Sequence, residues 1–237
     1  MAPGTGRTPL STHRVLAAAV ELADDAGIDA VSMRPLAQRL GVVPMALYKH
    51  VASKDVLLDG MVDLVLGEIE APHAGLDWRA AVRARVLGAR RAVLRHPWAR
   101  KAIESRTHRT PVVLGHMDAV ARLFLAGGFS PDLTHHVMHA LGNRIWGFSP
   151  ELFEEEPADG AAPPDPEQQA AMAQAFGQHF PGILAIATEA TGGDLAGVGQ
   201  GCDEDFEFAF ALDLLLDGAE RLHRAGWTSA ARSTVHP

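Results

Sequence analysis

The chain has 237 residues, 47% hydrophobic, 21% charged and only 6% aromatic, with a formal net charge of −8. That composition allows an ordinary core in one large domain or two small ones. The single cysteine, Cys202, excludes an internal disulfide, and no apolar run of signal-peptide or membrane-spanning length occurs, so a cytoplasmic protein with no membrane partner is expected.

Ala and Leu dominate and strand-like alternation is scarce, so the expected fold is all-α. Residues 1–10 read as a flexible arm. Thr12 to Ala26 forms the first predicted helix, with Ser11 or Thr12 as cap, Leu16, Ala19, Val20 and Ala23 as its inner stripe, and Gly27 as its stop. Ser32 is placed to cap a second helix that tolerates Pro35 in its first turn and ends at Gly41. Pro44 opens a third, ending near His50. Ser53 caps a fourth, whose apolar face is Val56, Leu57, Met61, Leu64 and Val65. Further helices are predicted from Trp78 to Arg95, from Trp98 to Ser105, from Thr110 to the Gly127-Gly128 pair, and from Ser130-Pro131 to about Phe148. An acidic, Pro-rich stretch at about 149–166 reads as a mobile loop. A helix from Pro166 to Thr188 with a bend at Pro181 follows, then a Gly-rich connector and a last helix from Asp203 to Gly226. The first half of that last helix, "FEFAFALDLLL", is apolar nearly all round and calls for burial in a core or against a partner chain.

Three short helices with a tight glycine turn between the last two form the pattern of a helix-turn-helix unit, placed at residues 11–55, with residues 56–237 as a helical regulatory and dimerisation body. Leu36, Leu40, Val42, Leu47 and Val51 are spaced to anchor the third helix. Pro44, Met45, Ala46, Tyr48, Lys49 and His50 are left facing outward. Tyr48 and His50 can donate to phosphates, Lys49 can reach a phosphate or a guanine, and Met45 and Ala46 can pack on thymine methyls. Arg34 leads the second helix toward the DNA backbone, and Lys54 sits in the first turn of the fourth, beside free backbone N–H groups. Charge is distributed to match. Residues 1–54 hold Arg7, Arg14, Arg34, Arg39, Lys49 and Lys54 against four acids, while residues 110–237 hold five basic and 18 acidic residues. A basic head on an acidic body fits binding of double-stranded DNA through one end.

The segment "VLAAAVELADDAGIDAVSMRPLAQRLGVVPMALYKHVASKDVLLDGM", Val15 to Met61, resembles the N-terminal domain of the TetR family of transcriptional repressors without gaps. "DWRAAVRARVLGARRAVLRHP" and "FLAGGFSP" are similar to the tetracycline-repressor subgroup. The resemblance implies an all-α homodimer on a palindromic operator, whose body binds a small ligand that moves the fourth helix and releases the DNA. By residue type, the contacts at Arg34, Tyr48, His50 and Lys54 carry over. Those at Pro44, Met45, Ala46 and Lys49 do not, which implies a different operator sequence. The subgroup's drug-contacting asparagine and phenylalanine align with Arg85 and Ala89, and its metal-binding histidine with about Ile103. An inducer other than tetracycline, a small organic molecule, is therefore expected.

In the body, His139, Asn143 and Trp146 recur one turn apart on one predicted helix, and His116 and Met117 on the preceding helix can face them across a ligand cavity. His135 and His139 have the i, i+4 spacing of a metal pair, but no HExxH arrangement accompanies them, so the alternative is a metal-sensing repressor or, more remotely, a metal-dependent helical enzyme. The bland reading of these histidines is a set of polar, half-buried helix residues. The glycines at 191–201 lack the Lys-Ser/Thr of a phosphate loop, nothing near Cys202 activates a thiolate, and no nucleophile–base pairing stands out. Neither catalysis nor a cofactor is expected. From Arg79 to Arg109 ten basic residues accompany one acid, Glu104. They can form an anionic-ligand or DNA-facing surface, but a solvated face paired with neighbours such as Glu68, Glu70 and Asp77 is favoured.

Overall fold

The computed structural model describes residues 9–106, 108–146, 165–194 and 203–230, the side chains of residues 143–146 and 190 excepted. The expected loop at 149–166 falls, up to residue 164, outside them, as do the N-terminal arm to residue 8, Cys202 and most of the Gly-rich connector. Every regular element among the described residues is helical. They are α1 (Thr12–Ala26), α2 (Met33–Leu40), α3 (Pro44–Leu47), α4 (Lys54–Gly67), α5 (Trp78–Arg95), α6 (Trp98–Glu104), α7 (Pro111–Ala126), α8 (Pro131–Trp146), α9 (Pro166–His179), α10 (Pro181–Ala190) and α11 (Glu204–Arg224). A one-turn 3₁₀ helix, Ile28–Ala30, precedes α2. The described residues divide between two compact units, Met1–Trp146 with Leu212–Pro237 and Gly147–Ala211.

Local chemistry starts and stops these helices. The side chains of Ser11, Ser53, Asp77 and Thr110 accept from the third residue onward, at Arg14, Val56, Ala80 and Val113, and so satisfy N–H groups that a helix start leaves open. Ser32 stands at the N-cap of α2 with extended backbone, but its side chain makes no capping bond. Gly41 closes α2 in the left-handed conformation, φ 66° and ψ 34°, where a side chain would be strained. The single bent helix expected from Pro166 to Thr188 is two helices. Phe180 adopts φ −130° and ψ 62° between them, because Pro181 cannot donate to the preceding turn and pushes its neighbour out of helical space.

In the first unit one continuous core runs from Val15 to Ala102. Helix α4 lies at its centre, packed by α1, α5, α6 and α7. Packing on so many sides buries Leu57, Leu58, Met61, Val62, Val65 and Leu66, a wider set than the stripe expected from sequence, while Val56 of that stripe is 47% exposed. At the far end of α5, Trp78 packs on Phe124 and Phe129 with ring centroids 5.8 and 4.6 Å away, and His223 of α11 stacks on Phe129 at 4.3 Å. Ser229 donates its backbone N–H and its hydroxyl to Asp132, so the chain beyond α11 is tied to the start of α8 and the Asp132 carboxyl is held below its ordinary range. Helix α11 has residues in both units; along it Phe208, Leu212, Leu216 and Ala219 are buried, whereas Phe206, Phe210 and Leu214 on its other side are mostly exposed. Among the described residues the apolar half of this helix is therefore only half covered.

In the second unit α9 packs on α10. Gly177 lies so near Leu184 that a Cβ there would stand 2.1 Å from its Cδ2.

Candidate nucleic-acid interface and regulatory site

The head is built so that one short helix is held from behind and bare in front. Leu36, Leu47 and Val51 are fully buried, and Leu40 and Val42 pack partly against the same core. Each fully buried leucine contributes roughly 2 kcal/mol to fixing the unit. Helix α3 itself has only four residues, shorter than the expected run to His50. A hydrogen-bonded turn continues it, with the N–H groups of His50 and Val51 both donating to the Leu47 carbonyl. Met45 is 71% exposed, and Tyr48, three residues on, is 47% exposed. Pro44 and Lys49 are also exposed, and Ala46 and His50 half-buried. Met45, Tyr48 and Lys49, at i, i+3 and i+4, therefore share one outward face. Thr12 donates from its hydroxyl to the His50 carbonyl at 3.5 Å, a long hydrogen bond that ties the end of this turn to α1.

The two arginines of α2 separate cleanly. Arg39 donates to Asp25 at 2.8 Å and Glu21 at 3.3 Å, which braces α2 against α1 and raises its own pKa. Arg34 is exposed and meets no carboxylate among the described residues. Lys54 is exposed at the start of α4, in the field of Asp29, whose pKa is lowered first by its hydrogen bond from Lys101 and in smaller part by Lys54.

Two sets of polar contacts join head and body along α4. At its start, Asp55, Asp59 and Asp63 are spaced one turn apart and meet the segment between α6 and α7. Arg106 donates to Asp55 at 3.0 Å and Asp59 at 3.1 Å, His108 lies 3.0 Å from Asp59, and Thr110 donates from its hydroxyl to Asp63. At its end, His96 stands between Asp24 of α1, 2.8 Å from Nδ1, and Glu68, 3.0 Å from Nε2, while Trp98 donates to the same Asp24 oxygen at 2.6 Å. Burial raises the Glu68 pKa, but the bonds from Arg95 and His96 outweigh it and hold the carboxyl low. Neither cluster was visible as a motif, because the partners lie 28 to 74 residues apart.

The basic run on α5 and α6 is largely paired, though mostly by other partners than those expected. Glu68 does meet Arg95, but Asp77 caps α5 and Glu70 lends only its backbone carbonyl, to Arg85. Arg79 reaches Asp217 and Glu220, and Arg83 reaches Asp213, all on α11. Arg100 pairs with Glu104 and Lys101 with Asp29.

Of the candidate ligand residues, His116 on α7 turns its Nδ1 to Arg85 Nη2 of α5 at 3.2 Å. Burial, and secondarily the Arg85 charge, push its pKa down to about 4. Met117 next to it is 37% exposed. His139 is exposed on α8 with its ring 4.6 Å from that of His135. Asn143 and Trp146 lie on the last turns of α8, and their side chains are outside the described structure. No group of three or more His, Cys, Asp or Glu suited to a metal ion occurs among the described residues. Nor is any helix among them long and apolar enough to cross a membrane.

Comparison with known proteins agrees with this architecture. Residues 15–61 match the family model for bacterial regulatory proteins of the tetR family, and residues 71–222 match the tetracyclin repressor-like C-terminal domain. The chain is 31% identical over 230 residues to the HTH-type transcriptional repressor DrrR1 of Streptomyces coeruleorubidus, covering 93% of this chain and 81% of that one. It is 30% identical over 223 residues to the class G tetracycline repressor protein of Vibrio anguillarum, covering 92% and 97%. Among solved structures, the TetR family protein ActR of Streptomyces coelicolor in complex with actinorhodin superimposes with a TM-score of 0.69 at 26% identity, over 90% of this chain and 98% of that one. A helix-turn-helix head on an all-helical body, matched by family models over both parts, makes this chain a member of the tetR family of transcriptional regulators.

Proposed function

We propose that the protein is a homodimeric repressor that binds a palindromic operator through two heads and is released by a small organic ligand held in the helical body. The observation that carries the DNA part is the bare outward face of the α3 turn. Met45, Tyr48 and Lys49 are exposed, while Leu47 between them is fully buried. An exposed Met and Tyr gain nothing in water, and they suit a groove where thymine methyls and phosphates lie side by side. Pro44, Ala46 and His50 border that face, and Arg34 and Lys54 flank it as phosphate contacts. The exposed Phe206–Phe210–Leu214 stripe of α11 supports the dimer, since burying it against its copy removes three large apolar side chains from water. Ligand binding is supported by relatives whose names and structures involve organic molecules, the tetracycline repressor and the actinorhodin complex of ActR. His116, Met117, His139, Asn143 and Trp146 are the residues we assign to the ligand.

The metal-sensing alternative has two neighbouring imidazoles, His135 and His139, with the His136 ring 5.0 Å from His135, but no group of three side chains suited to a metal ion among the described residues.

Fluorescence anisotropy with DNA flanking the protein's own gene, at several salt concentrations, tests the reading. Wild type should bind one fragment tightly, with affinity falling steeply as salt rises. Tyr48→Ala/Lys49→Ala should weaken that binding by roughly a hundredfold, since each truncated side chain forfeits about 1–3 kcal/mol of interaction with the groove. Equal, weak binding of every fragment by both proteins would remove the operator reading.

A further inference from the structure

Arg79, Arg83 and Arg95 of α5 each meet a carboxylate. Arg85, half-buried on the same helix, meets none among the described residues. Its Nη1 donates to the backbone carbonyls of Ile69 and Glu70, both at 3.4 Å and so at the limit of hydrogen bonding. Its Nη2 faces His116 Nδ1 at 3.2 Å. Its Nε is shut away from solvent with no partner. An arginine keeps its proton at any physiological pH, and His116 is neutral there, so the pair carries one positive charge with no anion to balance it among the described residues. Withdrawing a cation from water is unfavourable unless a counter-charge is supplied. At Arg79, Arg83 and Arg95 the fold supplies one from its own acids. Here it supplies a neutral imidazole and two distant carbonyls, which are weak acceptors for a charged donor.

We propose that Arg85 and His116 form the recognition point for the carboxylate of a small organic acid. This deepens the ligand-responsive reading above and rests on it. The Nε–Nη2 edge of a guanidinium presents two parallel N–H groups matched to the two oxygens of a carboxylate. In the free protein one of these is unpartnered and the other is held by an imidazole that a carboxylate outcompetes. A neutral His116 that accepts through Nδ1 carries its hydrogen on Nε2, and once displaced it can turn that N–H toward the same acid. An uncharged molecule of the same shape leaves the Arg85 charge unbalanced and gains none of this. The two carbonyls that Arg85 now touches belong to the chain just beyond α4. An acid that draws the guanidinium to itself loosens that exit, at the opposite end of the helix from Lys54, so the site acts on the helix that joins body to head.

The test is isothermal titration calorimetry of the full chain with benzoate, 1-naphthoate, indole-3-acetate and octanoate, each beside its primary amide. At least one acid should bind, with its amide weaker by about tenfold or more. Arg85→Gln should reduce that acid to the level of its amide, and Arg85→Lys, which keeps the charge without the fork, should fall between. Circular dichroism reports whether the variants fold. If Arg85→Gln does not, the acid–amide comparison on wild type decides alone. Equal binding of acid and amide, no binding of any acid up to its solubility, or an Arg85→Gln protein that binds the acid like wild type would each overturn the proposal. Anisotropy with operator DNA is read separately. A chain that takes the acid but no DNA refutes the regulator reading and leaves the carboxylate site standing, while DNA binding without acid binding does the reverse.

Discussion

His116 is a side chain whose protonation reports directly on the interior of the body. Its imidazole has a pKa of about 4 in the fold against 6.5 when free, chiefly because burial disfavours the charged ring. Between those values the unfolded chain takes up a proton that the folded chain does not. The contribution is therefore fully present above pH 6.5 and is lost as pH falls toward 4, by up to about 3 kcal/mol. Urea midpoints of wild type should drop between pH 7 and pH 5 by more than those of His116→Gln, which cannot titrate. Parallel drops in the two proteins would show that the ring is not held neutral. At this scale much of the candidate DNA face was legible, because outward residues can be counted from the buried Leu47 on a short helix. The partners of arginines were not. Arg34 and Arg39 share α2, and nothing local distinguishes the exposed one from the one that braces α1. Arg85 stands out only when the acids that pair its neighbours, 130 residues away on α11, are brought into place.

At the scale of elements, packing decides where the helices meet. Gly127 ends α7 with an ordinary φ of −76°, so alanine is free of backbone strain there. A Cβ at that position would nevertheless stand 2.6 Å from Trp78 Cγ and 2.7 Å from its Cβ. Those atoms sit at the root of a side chain wedged between Phe124 and Phe129, and cannot swing aside cheaply. Gly127→Ala should destabilise the protein by roughly 1–3 kcal/mol in chemical denaturation, while an unchanged midpoint would mean that α5 slides freely over α7. The helices themselves were largely written in their boundaries. Ser11, Ser53 and Thr110 cap where a cap was expected, Asp77 caps α5 although it was read as a partner for the arginines, and Gly41 stops α2. What the boundaries do not encode is depth. Helix α4 reads as amphipathic in isolation, and only the four helices around it explain why Leu58, Val62 and Leu66 are buried with the expected face. Conversely, the first half of α11 reads as buried all round, yet the described residues cover only one of its sides.

For the whole molecule, the same core that anchors the head belongs to the body. Val15, Leu36 and Leu47 join one cluster with Leu57, Met61, Ala89 and Trp98. A fragment of residues 1–55 keeps its three-helix pattern but loses the α4 and α6 surfaces against which that pattern folds. It should lack a cooperative thermal transition by circular dichroism, whereas a fragment ending after α6 retains one. A sharp transition in the shorter fragment would make the head an independent domain. The charge asymmetry read along the chain holds a related lesson. The acids that seemed to form a separate acidic body include Asp213, Asp217 and Glu220, which pair with Arg79 and Arg83 of α5. Net charge by segment is therefore a poor guide to the field at the surface.

The shared core also bears on how regulators of this kind can be recombined. A chimera that joins a new head to this body within residues 53–69 cuts through a packed interior. The graft must bring residues that fit Leu57, Met61 and Val65 on one side and Trp98 and Ala99 on the other. It must also preserve the Asp55, Asp59 and Asp63 seats for Arg106, His108 and Thr110, and the Asp24 and Glu68 seats for His96. Heads are interchangeable here only as sets that include α4, so the practical module boundary for engineering lies in the 70–77 segment ahead of α5, with α6 and its following loop repacked to match.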